Sequence, residues 1–280
     1  MSVRGSSFPA PGKLNLMLRV LGRRADGYHL LQTLIRFIDF GDTVTLRVRE
    51  DGVIVRANEV SGIPHDDDLT VRAARLLKQA TGSPLGVEIL LEKRLPLGGG
   101  LGGGSSDAAT VLLALNHLWG TRLTRERLLA LALEIGADVP VFVLGENALA
   151  EGIGERLTPL VLPASWYLVL TPPVVVPTAR IFADPELKRD SKPITIQGFS
   201  AELAGNDLEA VVCRAYPQVA QYLEWLRRAG PAWVTGSGAG MFAAFPDEHA
   251  ARQVWGSAPA GMRGFIARGL PRHPLHHLAL

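Results

Sequence analysis

Cysteine is almost missing from this chain. Its 280 residues include one, Cys213, so no disulfide framework holds the fold and a reducing cytoplasm is the expected compartment. Lysine is scarce too: five stand against 24 arginines, and two of the five, Lys13 and Lys93, fall in or beside the motifs described below. A dominant charge is lacking. The formal net charge is +2, from 29 basic and 27 acidic side chains, which gives no electrostatic case for nucleic acid or an anionic membrane as partner. Long apolar runs are lacking as well. No stretch reaches the roughly 18 residues of a membrane span, and "WYLVLTPPVVVP" is broken by prolines. The opening "MSVRGSSFPAPGK" carries no apolar leader core. These absences point to a soluble cytoplasmic protein, monomer or weak homodimer, whose partners are small molecules.

Apolar residues make up 47% of the chain and charged residues 20%, enough for a large core and too little charge for disorder. "LNLMLRVLG" (14–22) reads as a strand and "RRADGYH" as the turn after it. "DTVTLRVRE" alternates, and Asp51-Gly52 followed by "VIVRA" predicts a hairpin. A helix is expected up to Gly82, a strand at "GVEILLEK", a helix capped by Ser105 or Ser106 and ended by Gly120, and another capped by Thr124. "ADVPVFVLGENALAEGIGERL" (137–157) reads as a loop followed by short strands. The proline-rich "TPLVLPASW" (158–166) divides the chain into expected domains 1–160 and 161–280. Strands and helices mix in the second part, which includes a strand–glycine-loop–strand at "AWVTGSGAGMFAAF".

Glycine is abundant in one place. "PLGGGLGGGSSDAA" (96–109) has six glycines among the seven positions 98–104 and leads from a strand into a helix. The first turn of a helix has free N–H groups and a partial positive charge, and glycine lets a phosphate approach them. Ser105, Ser106 and Asp107 add oxygens that suit phosphate contacts or Mg²⁺. A nucleoside triphosphate site is the natural reading. The loop lacks the Gly-Lys of a Walker A motif. Gly98, Gly100 and Gly103 satisfy the dinucleotide spacing, but "EKRLP" separates them from the preceding strand and no second strand with an acidic end follows. A dinucleotide-binding oxidoreductase and a nucleotide-binding regulatory protein remain the readings from other classes.

The loop closely resembles the phosphate-binding segment of the kinase superfamily named after galactokinase, homoserine kinase, mevalonate kinase and phosphomevalonate kinase. "APGKLNLMLRVLGRRADGYHLLQTL" (10–34), "EIGADVPVF" (134–142), "NDLE" (206–209), "VTGSGAGMFAAF" (234–245) and "ARGL" (267–270) resemble one branch of it, the 4-diphosphocytidyl-2-C-methyl-D-erythritol kinases. That resemblance implies an α+β, two-domain fold, ribosomal-protein-S5-domain-2-like at the N-terminus and a ferredoxin-like α/β sandwich at the C-terminus. It implies ATP and Mg²⁺ as cofactors, and phosphorylation of the 2-hydroxyl of a cytidine diphosphate conjugate of methylerythritol. A kinase for homoserine or a mevalonate derivative is the nearest alternative.

By the same resemblance, Asp138 takes the proton of the attacking hydroxyl and Lys13 is its partner. Asn15, Tyr28, His29, Thr178 and Phe182 are substrate-side residues, with Phe182 stacking on the base. Gly236, Ser237 and Gly238 form a loop that closes over the cleft. Pro96, Leu97, Gly98, Gly99, Gly100, Leu101, Gly102, Gly103, Gly104, Ser105 and Ser106 cradle the triphosphate, with Lys93 on the ATP side. Asp68 stands at an adenosine-side position where the branch usually has Asn. Pro271-Arg272-His273 replaces a more usual Ser near the C-terminus, and no role is assigned there.

Overall fold

A 21-residue strand organises the first part of the molecule. The computed structural model describes residues 5–60, 62–195 and 204–279. Strand β1 (Ser6–Arg23) runs antiparallel to β2 (His29–Arg49) through the turn at Asp26-Gly27. The other edge of β2 is shared. Its later half, Thr43–Arg49, pairs with β4 (Gly86–Glu92), and its earlier half, Leu31–Ile35, pairs with β5 (Ala148–Gly152), which continues into β6 (Arg156–Pro159).

The expected hairpin is not formed. β3 (Ile54–Arg56) pairs with β4, in parallel, and β4 lies between it and β2. β4 offers buried Val87, Ile89 and Leu91, whereas all three residues of β3 are only half-buried, so the more apolar strand takes the inner place.

Helices cover one face of this sheet: α1 (Leu69–Thr81), α2 (Gly103–Leu118), α3 (Arg125–Ile135) and α4 (Val139–Leu144). α2 is buried at every position from Ser106 to Asn116, as expected of a helix that is apolar nearly all round. Thr124 caps α3 and Gly82 ends α1 in the left-handed region, as expected. Two details differ. α2 starts at Gly103 with Gly102 as its cap and no side-chain cap bond, so neither Ser105 nor Ser106 is the cap. Residues 139–144, expected as loop, form α4, with Pro140 in its first turn, where a missing N–H costs nothing.

The second sheet is antiparallel, in the order β11 (Gly264–Arg268), β7 (Trp166–Leu170), β10 (Met241–Phe245), β9 (Ala232–Val234). In β7, Leu168 and Leu170 join the core with α5 (Thr178–Ala183), α6 (Glu209–Ala215) and α7 (Pro217–Arg227). Tyr167 and Val169 on the opposite face meet Leu14, Ile38 and Leu101. Both faces are covered, which explains the continuous apolar run "WYLVL". α8 (Glu248–Trp255) lies between β10 and β11. β8 (Gly205–Asn206) returns to the first sheet and pairs in parallel with β1.

Candidate active site

Irregular pairing in β1 aims the first two site residues. The register with β2 shifts between Pro11 and Lys13 and again between Asn15 and Met17. Such irregularities re-aim side chains. Leu14, between them, is fully buried in the core that joins the sheets, while Lys13 and Asn15 line a cleft of about 840 Å³. That volume suits a small-molecule site.

The Lys13 ammonium is buried. It donates to Asn15 Oδ1 at 2.5 Å and to the Gly100 carbonyl at 3.0 Å, and it lies 3.5 Å from Asp138 Oδ2. Asp138 precedes α4 and its side chain is 49% exposed into the cleft. Residues 13 and 138 thus meet across most of the first sheet's sequence. Asn15 is fixed in turn: its Nδ2 donates to Thr33 Oγ1 at 2.8 Å, and its backbone N–H donates to Thr235 Oγ1 at 2.9 Å.

The two glycine loops are docked on each other. Ala239 N–H donates to Gly98 O at 2.8 Å and Gly240 N–H to Gly99 O at 3.0 Å. Asn206 Nδ2 donates to Val234 O and Gly236 O at 2.8 and 2.7 Å, so the "NDLE" segment pins the second loop. Thr178 Oγ1 and Ser237 Oγ share a hydrogen bond of 2.7 Å at the rim. His29 opens β2, and its ring lies 4.9 Å from that of Phe182, tilted by 34°. Burial first, then the positive charge of Arg189 and Arg23, lowers the His29 pKa.

The cleft is lined by all but three of the residues singled out from sequence, Asp68, Ser106 and Asp107 being outside it: Lys13, Asn15, Tyr28, His29, Lys93, the whole stretch from Pro96 to Ser105, Asp138, Thr178, Phe182 and Gly236 to Gly238. Ser106 is fully buried and outside it, with no partner for its Oγ among the described residues. Asp68 is also outside. Its carboxylate is paired with Arg56 and accepts from Thr70 N and Oγ1 at 2.7 and 2.6 Å, capping α1. An ionised carboxylate with three partners is satisfied where it stands, so in this structure Asp68 serves α1.

Lys93 is not a solvated charge. It pairs with Asp42 and, at 2.6 Å, with Asp107, both buried. The carboxylate of Asp107, which the sequence placed at the helix start facing a ligand, turns into this cluster. Burial pushes its pKa up to about 7 even though Lys93 pulls it down. Lys93 itself is raised: burial opposes its charge, and the two carboxylates outweigh burial. Sequence reasoning missed Asp42, Thr33, Thr235 and Arg189. None carried a distinguishing signal: even Asp42 shares its strand with a second acid, Asp39, and several arginines.

The site's chemical capacity is that of positioning. A fixed ammonium and an accessible carboxylate stand together beside bare backbone amides. Among the described residues no three His, Cys, Asp or Glu side chains cluster as a metal site, and no helix is long and apolar enough to cross a membrane.

Comparison with known proteins gives the following. The family described as GHMP kinases N terminal domain matches residues 68–146, and GHMP kinases C terminal matches residues 195–263. A 4-diphosphocytidyl-2-C-methyl-D-erythritol kinase of Nitrosospira multiformis is 58% identical over 98% of this chain and 94% of its own. One of Thiobacillus denitrificans is 60% identical over 96% and 97%. A crystal structure of 4-(cytidine 5'-diphospho)-2C-methyl-D-erythritol kinase superposes with a TM-score of 0.81 at 36% identity, over 94% of this chain and 99% of that one.

Proposed function

The chain belongs to the 4-diphosphocytidyl-2-C-methyl-D-erythritol kinases of the GHMP kinase family, and from that premise we propose how its own residues carry the reaction. The enzyme transfers the γ-phosphoryl group of ATP to the 2-hydroxyl of 4-diphosphocytidyl-2-C-methyl-D-erythritol, in the non-mevalonate isoprenoid pathway. The observation that carries the mechanism is the Lys13–Asp138 pair, 3.5 Å apart at the mouth of the glycine loop.

Phosphoryl transfer asks a protein mainly for positioning and charge stabilisation. Asp138 orients the attacking hydroxyl and receives its proton. Lys13, held by Asn15 and Gly100, has its charge fixed before substrate arrives and stabilises negative charge developing on the transferring group. The backbone from Gly98 to Gly104 and the Ser105 hydroxyl hold the triphosphate, with Lys93 beside them. Tyr28, His29 and Phe182 hold the cytosine end, and Thr178 and Ser237 the rim.

Mg²⁺ fits this chain. It takes hard oxygen ligands and usually keeps waters, needing few protein donors beside the phosphates. The Ser105 hydroxyl, which lines the cleft in the first turn of α2, would hold it; there it would neutralise phosphate charge. The domain division near residue 160 belongs to the same reading: the second sheet begins at Trp166, although β8 returns to the first.

The test is ADP release by wild type and Asp138→Ala, with the cytidine substrate, homoserine and mevalonate offered in turn. Wild type turns over the cytidine substrate alone. The variant loses kcat by orders of magnitude and keeps ATP binding. Near-normal turnover by Asp138→Ala would remove the mechanism; turnover of homoserine or mevalonate would remove the substrate.

A further inference from the structure

Asn15 holds the Lys13 ammonium with an amide that fits its place either way round. A half-turn about the last side-chain bond exchanges Oδ1 and Nδ2 with almost no change of shape. Only one of the two orientations serves Lys13, because an ammonium has three donors and no acceptor. The backbone adds no freedom of its own: Asn15 N–H donates to Thr235 Oγ1 at 2.9 Å, and Asn15 lies opposite Ile35 in the pairing of β1 with β2. The orientation is therefore set by what meets the other end of the amide, and that is Thr33.

Thr33 has a fixed place. It sits within β2, opposite Leu18 of β1 on one side and Ala150 of β5 on the other, and is 5% exposed. A hydroxyl has a single proton to give. Here that proton goes to the Met17 carbonyl at 2.7 Å, just past the register shift between Asn15 and Met17. Only lone pairs are left toward Asn15, so the amide presents Nδ2, at 2.8 Å. Oδ1 then faces Lys13 Nζ, at 2.5 Å. A flipped amide would set its N–H groups against the ammonium and its oxygen against the hydroxyl oxygen, leaving buried polar groups unpaired on both sides. Asn15 Oδ1 and Gly100 O take two of the three ammonium N–H groups, which leaves one for the side on which Asp138 lies.

We propose that Thr33 is a positioning residue for phosphoryl transfer: with its proton committed to Met17, it fixes which end of the Asn15 amide faces Lys13, and so aims the ammonium at the transferring group. This rests on the part given to Lys13 above. An ammonium held by Gly100 O alone swings about that one bond toward the Asp138 carboxylate and ties up the group that must receive the hydroxyl. A misplacement of about one ångström at a reacting centre costs on the order of a hundredfold in rate. Binding is spared, because the Thr33 hydroxyl spends both its donor and its acceptor inside the protein.

The experiment uses the full chain in three measurements. Nitrogen-15-correlated NMR of the ligand-free protein reads the Asn15 side-chain amide directly. Its protons should exchange slowly with water in wild type and at least about tenfold faster in Thr33→Val, which keeps the shape and loses the hydroxyl. Steady-state kinetics should then show kcat of Thr33→Val falling roughly ten- to a hundredfold, with KM for ATP and for the cytidine substrate within about twofold. Thr33→Ser, which keeps the hydroxyl, should recover most of kcat. In an Asn15→Ala background, Thr33→Val should lower kcat no further, because Thr33 acts through Asn15; a merely structural role would lower activity equally in both backgrounds.

Thr33→Ala, which lacks the hydroxyl without setting a methyl group against the amide, serves should the valine variant fail to fold, and the same loss of kcat is expected. Asn15 amide protons that exchange in ligand-free wild type as fast as those of an exposed asparagine overturn the proposal. So does a kcat that survives the loss of the Thr33 hydroxyl, or a serine variant no faster than the valine one. Wild type that ignores the cytidine substrate would sink the functional reading instead, and the amide exchange would still decide whether Thr33 orients Asn15.

Discussion

Gly100 shows why the loop contains so much glycine. Its φ is +69°, and a Cβ there would lie 2.1 Å from the Thr235 carbonyl oxygen. Gly82 has nearly the same φ, +68°, with nothing within 4 Å. The pair separates backbone strain from contact. Gly82→Ala should cost about 1–2 kcal/mol, the ordinary penalty of a left-handed non-glycine residue. Gly100→Ala adds a clash that pushes the two glycine loops apart, so it should cost clearly more in urea unfolding and also lower kcat/KM. Equal costs for the two would mean that loop docking contributes nothing. The sequence allowed the phosphate reading of this loop but not the docking, because the partner carbonyl is 135 residues further on. The same limit hid the surroundings of Lys93 and Asp68. Their residue types were legible; that Lys93 would sit between Asp42 and Asp107, and Asp68 against Arg56, depends on pairings formed only in the fold. Lys93→Met leaves two buried carboxylates without a cation and should destabilise by about 3–5 kcal/mol, measured by denaturant unfolding near neutral pH. Asp107→Asn should cost less, since Lys93 keeps Asp42.

Helices with strong local signals were readable: Gly82 and Thr124 punctuate α1 and α3 through their own backbone and side-chain chemistry. β3 and α4 were not, because both are short and are fixed by what packs on them. α4 has six residues, too few to be stable alone. It is held from its far end. Arg125, the first residue of α3, donates from NH1 to Val143 O and Leu144 O at 3.1 and 2.6 Å, and from NH2 to His276 O and Ala279 O at 2.8 Å each. A cation at a helix C-terminus complements the helix dipole, and here it also ties the end of α4 to the C-terminal segment. Asp138 sits at the other end of the same helix. Loss of Arg125 should therefore loosen the carboxylate that meets Lys13. Arg125→Ala should lose about 2–4 kcal/mol of stability, as orphaned carbonyls would. Its kcat should drop more than either KM changes. Arg125→Lys should recover part of both. An Arg125→Ala enzyme with reduced thermal stability but unchanged kcat at 25 °C would show that the clamp holds the fold without positioning Asp138.

The C-terminal segment closes the molecule by packing Leu275 and Ala279 into the core of the first sheet, although the rest of the second half builds the other sheet. His273 is its buried anchor, edge-on to Phe37 and Phe142. Its Nδ1 accepts from Leu275 N–H at 3.0 Å, and its buried Nε2 has no partner among the described residues. A second proton would set two N–H donors against each other at Nδ1 in an apolar pocket. Burial, with His276 adding to it, accordingly lowers the pKa to about 3, against 6.5 for an ordinary histidine. The sign follows from proton binding: between those values the unfolded chain binds the proton and the folded chain does not. The stability from neutral His273 is complete above pH 6.5 and is lost as pH falls toward 3, at up to about 1.4 kcal/mol per pH unit. His29 and His276 are shifted the same way. Asp107 is shifted oppositely, raised from 3.8 to about 7, so its contribution is present at low pH and fades as pH rises through 7. The whole-protein curve therefore mixes signs, and the difference between wild type and His273→Ser isolates one group. At pH 7.5 the variant should be less stable by about 1–3 kcal/mol for the lost packing. Toward pH 5 the gap should close, because only wild type must keep a buried imidazole neutral. Urea unfolding at pH 7.5, 6 and 5 reads the gap directly, and a gap that stays constant across the three would mean that the His273 ring titrates in the folded protein as it does in water.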